Sequence, residues 1–414
     1  MKKRRVNSRW LSIGMALVFS LSLLILIPGV SESSPKAPKV YVIGGMQGLS
    51  GPAYTPWIDE LVKATELAVD EINKAGGIGG VPMKIVWEDH QAKGPVAVSA
   101  FNKLIDIDGV PVSTIGYTAP VMACAPIADA RQVLLINHGA HGPIIAGAGK
   151  YLFHNMINQL VTTRALLYYA KKELGIKKLG LIYVNDTMGI SMRDFLEKTC
   201  PKIGITLVGS TAFDVSATDF SAQIVKARAW KADAIYSSQH SAHYTLIKQA
   251  HEVGWDPQWL SVDIPVYGIF LEKAGPGING TLGAESEASF ERHPELLGWK
   301  KRWEGKFGAG TFPKTGVAPI VGAYDYPYIV KRLIEYGKQK GWSDYWTGKR
   351  LRQALVEIRS FRGLTGKFEF DLKTGLCDKG AEIIKMIPNP EKPGQYKWEE
   401  IKYYSLEEMV TIPR

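Results

Sequence analysis

The sequence predicts an α/β fold built from two parallel sheets in series, each covered by helices. Short apolar, β-branched runs alternate with amphipathic segments along most of the chain, and glycine-rich or polar loops follow those runs. Alternation of this kind buries parallel strands beneath helices on both faces. The chain has 414 residues, and at roughly 100–200 residues per domain a core of that size divides. With 22% charged and 46% hydrophobic residues, 42 Gly and 23 Pro, the composition excludes disordered, collagen-like and coiled-coil classes.

The first segment is not part of that pattern. Lys2, Lys3, Arg4, Arg5 and Arg9 precede a charge-free stretch from Trp10 to Ser31, whose Leu11–Ile27 portion is apolar apart from Gly and Ser. A basic region, an apolar run, a Pro28-Gly29 break and then small residues follow the order of a secretory signal, so residues 1–34 are expected to be a signal peptide. The run of about 18 residues is also long enough for an uncleaved anchor helix, a reading that leaves the small residues Val30, Ser31, Ser33 and Ser34 unexplained. Removing residues 1–34 takes away five positives and Glu32 and lowers the net charge from +10 to +6. No clustered Lys/Arg stripe interleaved with aromatics remains, so nucleic acid is not an expected partner. Three cysteines, Cys124, Cys200 and Cys377, allow one disulfide in three pairings or three free thiols, and none follows the apolar run where a lipid anchor would sit. There is no CxxC, hence no thioredoxin-like centre or zinc ribbon.

Val40–Ile43 reads as the first strand and Gly44–Pro52 as its loop. Thr55-Pro56 then opens a helix with apolar residues at Trp57, Ile58, Leu61, Val62, Ala68, Val69 and Ile72, acidic Asp59 and Glu60 in its first turn, and Gly76-Gly77 as its stop. Met83–Glu88, Val112–Ile115 and Val133–Ile136 read as strands, Val96–Ile107 and Ala125–Arg131 as helices. A second round begins after Asn158, with helices over Leu160–Leu174, up to Cys200, and over Phe220–Trp230 and Tyr244–Val253. Its strands are Leu179–Tyr183, Thr206–Val208 and Ala234–Ser237, followed by short ones near Leu260 and Leu282. The remainder holds helices Ile320–Tyr336 and Leu351–Ile358 and strand-like Lys367–Phe370 and Glu382–Met386.

Ligands of open α/β sheets bind outside the carboxyl ends of the strands. The loops there mix aromatics, hydroxyls, His and one carboxylate, a set suited to a small polar or zwitterionic molecule between two lobes. The nucleotide alternative is weak, because Gly45, Gly48 and Gly51 do not make G-x-G-x-x-G. No Gly-x-Ser-x-Gly elbow is present, and no cofactor is implied. His138 and His141 share one strand-end loop, His240 and His243 another, and Asp263 lies in a third. These groups could converge on a metal, but an HxxH spacing in a loop does not aim two rings at one ion, and hydrogen bonding to an organic ligand is the stronger reading. Trp57 divides between helix core and cleft, whereas Tyr54 in the loop favours the cleft.

Several short segments in this order resemble the periplasmic solute-binding proteins of ABC transporters, of the leucine/isoleucine/valine-binding type. They are Leu49-Ser50-Gly51-Pro52, Ala68–Asn73 with Gly76-Gly77-Ile78, Ala125-Pro126-Ile127-Ala128, Asp219-Phe220-Ser221-Ala222 and Leu364–Asp371. The resemblance covers about residues 39–400 and implies the type I periplasmic binding fold, two Rossmann-like lobes joined by three hinge crossings with a ligand cleft between. It further implies lobe 1 from residues 39–156 and 286–378, lobe 2 from 157–285 and 379–414, a monomer outside the cytoplasm, ligand capture by lobe closure, and delivery to the membrane permease subunits. Carried over by position, Thr118, Ala119, Ala140 and His141 face a ligand carboxylate and Asp263 its ammonium, with Tyr54, Trp57, Tyr117, Met188 and His240 completing the expected site. The chain departs from the family where Asn137-His138-Gly139-Ala140-His141 replaces the usual Ser and Thr, where Met188 stands in place of a tyrosine, and where His154 follows Phe153 in place of Arg. The expectation is therefore a carrier of an amino acid or related organic acid or amide. Aromatic or other organic carboxylates are the alternative, and an exported α/β enzyme or a ligand-sensing module are lesser ones.

Overall fold

The computed structural model describes residues 38–51, 54, 56–140, 142–237, 242–262, 274–286, 292–313 and 318–412. The expected signal segment lies outside them. Residues 37–414 form one compact unit, and within it are two lobes, each centred on its own sheet.

The first sheet contains β1 (Tyr41–Gln47), β2 (Met83–Asp89), β3 (Val112–Gly116), β4 (Leu134–Gly139) and β5 (Leu152–His154) in the order β2-β1-β3-β4-β5. All its pairings are parallel. Helices α1 (Pro56–Lys74), α2 (Gly94–Asp106) and α3 (Thr118–Arg131) make the connections. Strand period sorts the side chains to two faces. Tyr41, Ile43, Val112, Leu134 and Ile136 point to one core, whereas Met46, Ile115 and Leu135 point to the other, with Phe101, Leu104, Val121 and Cys124. With both faces covered, β3 and β4 are buried at every residue.

The second lobe repeats the scheme with α4 (Gln159–Glu173), β6 (Lys178–Val184), α5 (Thr187–Thr199), β7 (Thr206–Phe213), α6 (Ser221–Ala229), β8 (Ala234–Ser237), α7 (Ala242–Glu252), β9 (Gln258–Ser261) and β10 (Leu282–Ser286). The chain then returns to the first lobe. There α8 (Glu295–Phe307), α9 (Ala318–Gln339), α10 (Gly348–Ile358) and a small antiparallel sheet of β11 (Ser360–Gly363), β12 (Gly366–Phe370) and β13 (Cys377–Asp378) follow. Finally β14 (Ala381–Pro388) pairs antiparallel with β10, β15 (Tyr396–Tyr404) with β14, and α11 (Leu406–Thr411) ends the described chain. The second sheet has the order β15-β14-β10-β9-β8-β6-β7.

Local chemistry sets several of these boundaries. Gly76 and Gly77 have φ of +94° and +71°, and a side chain on Gly77 would meet the Val81 carbonyl oxygen at 2.4 Å, so only glycine ends α1 in this way. Asn158 caps α4 by accepting from the Leu160 N–H, and Asp186 caps α5 by accepting from the Gly189 N–H.

Five differences from the sequence expectation have physical causes. Helix α3 starts at Thr118 rather than Ala125, because Pro120 occupies the first turn, where no N–H partner is lost, and the helix continues through Pro126. Strand β7 runs on to Phe213 as a half-buried sheet edge, and β5 has only three residues, too few to carry an alternating pattern. Helix α8 was not expected, since its buried Leu296, Trp299 and Trp303 stand among six charged residues. Strand β15 was likewise missed, because four of its nine residues are tyrosines or tryptophan scattered among charges and only Tyr404 is buried. Cys124, Cys200 and Cys377 are free and buried, and burial pushes each thiol up to about 12.

Candidate functional site

Strands β1, β3, β4 and β5 end at Gln47, Gly116, Gly139 and His154, and β6, β8 and β9 of the other lobe end at Val184, Ser237 and Ser261. These carboxyl ends are where a parallel α/β sheet forms its ligand crevice. Helix α3 leaves the edge of β3 through Tyr117, whose φ of +60° and ψ of 136° are strained for a residue with a side chain. The Tyr117 side chain does not cap this helix, and its first turn holds no acid. A helix start left in this state presents partial positive charge and free N–H groups to an anion. Thr118, the first helical residue, is 8% exposed and adds a hydroxyl. Tyr117 is anchored through its N–H to the Gly139 carbonyl at 3.3 Å and meets the His90 ring edge to face at 5.8 Å. Burial pushes its phenol up to about 12.

The turn after β4 is shaped by Asn137. Its Oδ1 accepts from the Gly139 and Ala140 N–H groups at 3.2 and 2.8 Å, while its Nδ2 donates to the Ala140 carbonyl and to His154 Nδ1 at 2.5 and 2.9 Å. Beneath it runs a buried polar chain. Gln47 Nε2 lies 3.2 Å from His138 Nε2, and His138 Nδ1 lies 2.6 Å from Thr114 Oγ1. The Thr114 hydroxyl donates to the Ile136 carbonyl, so the proton between Thr114 and His138 belongs to Nδ1. Gly116 is obligatory beside this chain, since a Cβ there would stand 2.2 Å from Gln47 Oε1.

The second lobe approaches this edge through the first turn of α5. A side chain on Gly142 would place its Cβ 3.0 Å from Thr118 Oγ1 and 3.2 Å from Met188 Cγ, so residues of both lobes border one small space. Gly189, next to Met188, packs so tightly that a Cβ would lie 1.9 Å from the Val184 carbonyl oxygen.

Of the residues the sequence singled out, Thr118 and Met188 meet at Gly142, and Tyr117 and Ala140 lie beside them on the adjoining turns. Ala119 is exposed in the first turn of α3. Tyr54 is 39% exposed and donates its hydroxyl to Asp59 Oδ2 at 2.6 Å. Trp57 is 6% exposed in a core shared with Leu61, Trp299 and Tyr324, with Leu49 and Tyr117 packed against it. His141, His240 and Asp263 lie outside the described residues. Two members of the histidine pairs need correction. His138 is not in a loop but inside β4, which continues past Ile136 because Asn137 still pairs with His154 of β5. His243 is the second residue of α7 and is buried, its Nδ1 3.0 Å from Ser237 Oγ. Desolvation pulls His138, His154 and His243 down to about 3 and His90 to about 4, so all four are neutral. Gln47, Gly142 and Asn158 escaped the sequence reading of the site, and Asn137 entered it only as a departure from the family pattern. Only Asn158 had a usable signal, a cap residue just ahead of an apolar helix.

A family model described as "Periplasmic binding protein" matches residues 40–386. An "Amino acid binding protein" of Pseudomonas aeruginosa is 25% identical over 281 residues, 65% of this chain and 73% of that one. The "Leu/Ile/Val-binding protein homolog 3" of Brucella melitensis is 28% identical over 218 residues, 51% of this chain and 58% of its own length, so less than two thirds of that relative is spanned. The solute binding protein of an ABC transporter from Rhodopseudomonas palustris, solved with 3,4-dihydroxybenzoic acid, superposes with a TM-score of 0.72 at 19% identity, covering 89% of this chain and 98% of that one.

Proposed function

The chain belongs to the periplasmic binding protein family, and from that premise we propose that it is the extracytoplasmic solute-binding component of an ABC importer whose ligand is a small carboxylate. The observation that carries the ligand class is the uncapped start of α3, with Thr118 at its first position, facing Met188 of the other lobe. A carboxylate placed there meets N–H groups, a hydroxyl and the positive end of a helix. The family relationship supports a working cycle in which lobe 1 (residues 39–156 and 286–378) and lobe 2 (157–285 and 379–414) close as bodies on the ligand, and a monomer then docks on its permease subunits. The role is carriage without chemical conversion, after export directed by residues 1–34.

An amino acid is the first reading, supported by the names of the two curated relatives and by Asp263, which we assign to the ligand ammonium. An aromatic acid is the second, favoured by Met188, whose thioether packs well on a ring, and by the dihydroxybenzoate complex of the Rhodopseudomonas protein. A thermal-shift panel of L-leucine, L-isoleucine, 3,4-dihydroxybenzoate and their carboxamides tests the class. A ligand at 100 times its Kd adds about 2.7 kcal/mol of stability, and acids are expected to do so while amides do not. Stabilisation by the amides alone would sink the carboxylate reading. Asp263→Asn separates the two readings: it weakens an amino acid by about 1.5–3 kcal/mol and leaves dihydroxybenzoate unchanged.

A further inference from the structure

Gly142 has φ of −61° and ψ of 145°, an extended conformation open to any residue. Glycine is therefore favoured here by space rather than by turn geometry. The point its Cβ would occupy lies 3.0 and 3.4 Å from Oγ1 and Cγ2 of Thr118 in the first lobe and 3.2 Å from Cγ of Met188 in the second. Thr118 is buried in the first turn of α3. Met188 is half-buried at the start of α5; a Cβ at residue 142 needs it to give by a few tenths of an ångström, and a larger side chain there presses on the start of α5 from the edge of the first lobe.

The height of this contact is held by Asn158. Its Nδ2 donates to the Gly142 carbonyl at 3.2 Å, and its Oδ1 accepts from the Leu160 N–H at 2.9 Å. Asn158 is 1% exposed and lies on the first segment to cross between the sheets, between His154 of β5 and Gln159 of α4. One side chain thus ties the turn after β4 to the first turn of a helix in the other lobe.

Resting on the reading of the chain as a carrier that closes on its ligand, we propose that Gly142 is the closure stop, with Asn158 as its positioning residue. The missing side chain lets Met188 descend to the start of α3, so residue 142 sets how far the lobes close and how thick a ligand the narrow end of the cleft accepts.

The double variant G142C/M188C in the full chain tests the contact without any ligand. The Cβ of residue 142 would stand 3.2 Å from the Cγ position of residue 188, the place a thiol sulfur would take there, which a Cβ–S–S linkage with an S–S bond of about 2.0 Å can bridge. The three native thiols are buried and stay silent. Oxidised glutathione, as acceptor of the two electrons and two protons, is expected to convert the new thiols to one disulfide in the ligand-free protein. Small-angle scattering is then expected to give the oxidised form a radius of gyration no larger than that of the wild type. G142V, checked for its fold by circular dichroism, is expected to have a larger radius of gyration than the wild type and to bind whichever of L-leucine or 3,4-dihydroxybenzoate the wild type binds about tenfold more weakly. G142A is the milder variant should valine impair folding, with the same direction expected. Absence of the disulfide, or a valine or alanine variant as compact as the wild type, overturns the proposal. A disulfide and an expanded valine variant, in a protein that takes neither probe, uphold the stop and reject the ligand reading.

Discussion

At Thr118 a hydroxyl, a helix start and the opposing lobe meet, which makes this residue the sharpest test of the ligand class. Thr118→Val keeps the shape and removes the donor. If a carboxylate binds there, affinity is expected to fall by about 1.5–3 kcal/mol, the value of a hydrogen bond to a charged group, with little change in melting temperature of the free protein; titration calorimetry with the acid that stabilises the wild type reads both affinities. The residue scale is also where the sequence reading was least secure. Thr118 and Met188 were legible because each follows a strand, but Gly142 was not, since nothing in a Gly-Pro pair tells a turn from a contact between lobes. His138 misled for a related reason. A histidine near the end of a strand looks the same in sequence whether it is solvated or buried among Gln47, Thr114 and Tyr326.

At the scale of elements, α3 and α5 face each other with opposite terminal chemistry. Helix α3 is uncapped and so keeps its free N–H groups, whereas α5 is closed by Asp186, whose Oδ1 accepts from Gly189 N at 2.8 Å. Asp186 thus occupies one first-turn N–H of α5, whereas the Tyr117 side chain occupies none in α3. Asp186→Ala removes the cap and is expected to cost about 1 kcal/mol of stability, seen as a lower urea midpoint at unchanged slope. It leaves the α3 side of the cleft intact, so a loss of affinity much larger than the loss of stability would show that the carboxylate site extends to α5. Helix α1, α4 and the central strands were readable because their stripes and caps are strong and local. Helix α8, β5 and β15 were not, because a Trp pair in a charged segment, or a strand of three residues, becomes regular only when a neighbouring element covers it.

For the whole molecule, the buried histidines set an acid limit. His90, His138, His154 and His243 have folded-state pKa values depressed to about 3–4 from 6.5. Each is neutral when folded but gains a proton when unfolded below pH 6.5. The stability they confer is therefore complete above pH 6.5 and is lost progressively as pH falls toward 3–4. Urea titrations at pH 7.5, 6 and 4.5 are expected to show that decline, and His138→Gln to reduce it; a flat profile would mean that these rings are charged in the folded protein. Affinity for a carboxylate held by α3 should not follow the same profile, because none of these four rings carries charge near neutral pH.

By itself the sequence determined the class of the protein: strand, loop and helix alternate with strong local signals, and the family segments lie in order between Leu49 and Asp371. It also determined which loops stand at strand ends, because that follows from chain order in a parallel sheet. Tertiary structure alone decided which of those loops touch. The meeting of Thr118, Gly142 and Met188 and the tie from Asn158 to Gly142 join residues of separate elements through distances of a few ångströms. Periodicity reports the face a residue turns to its own element's neighbours, whereas the gap between two lobes depends on how whole sheets pack and how the crossings hold them.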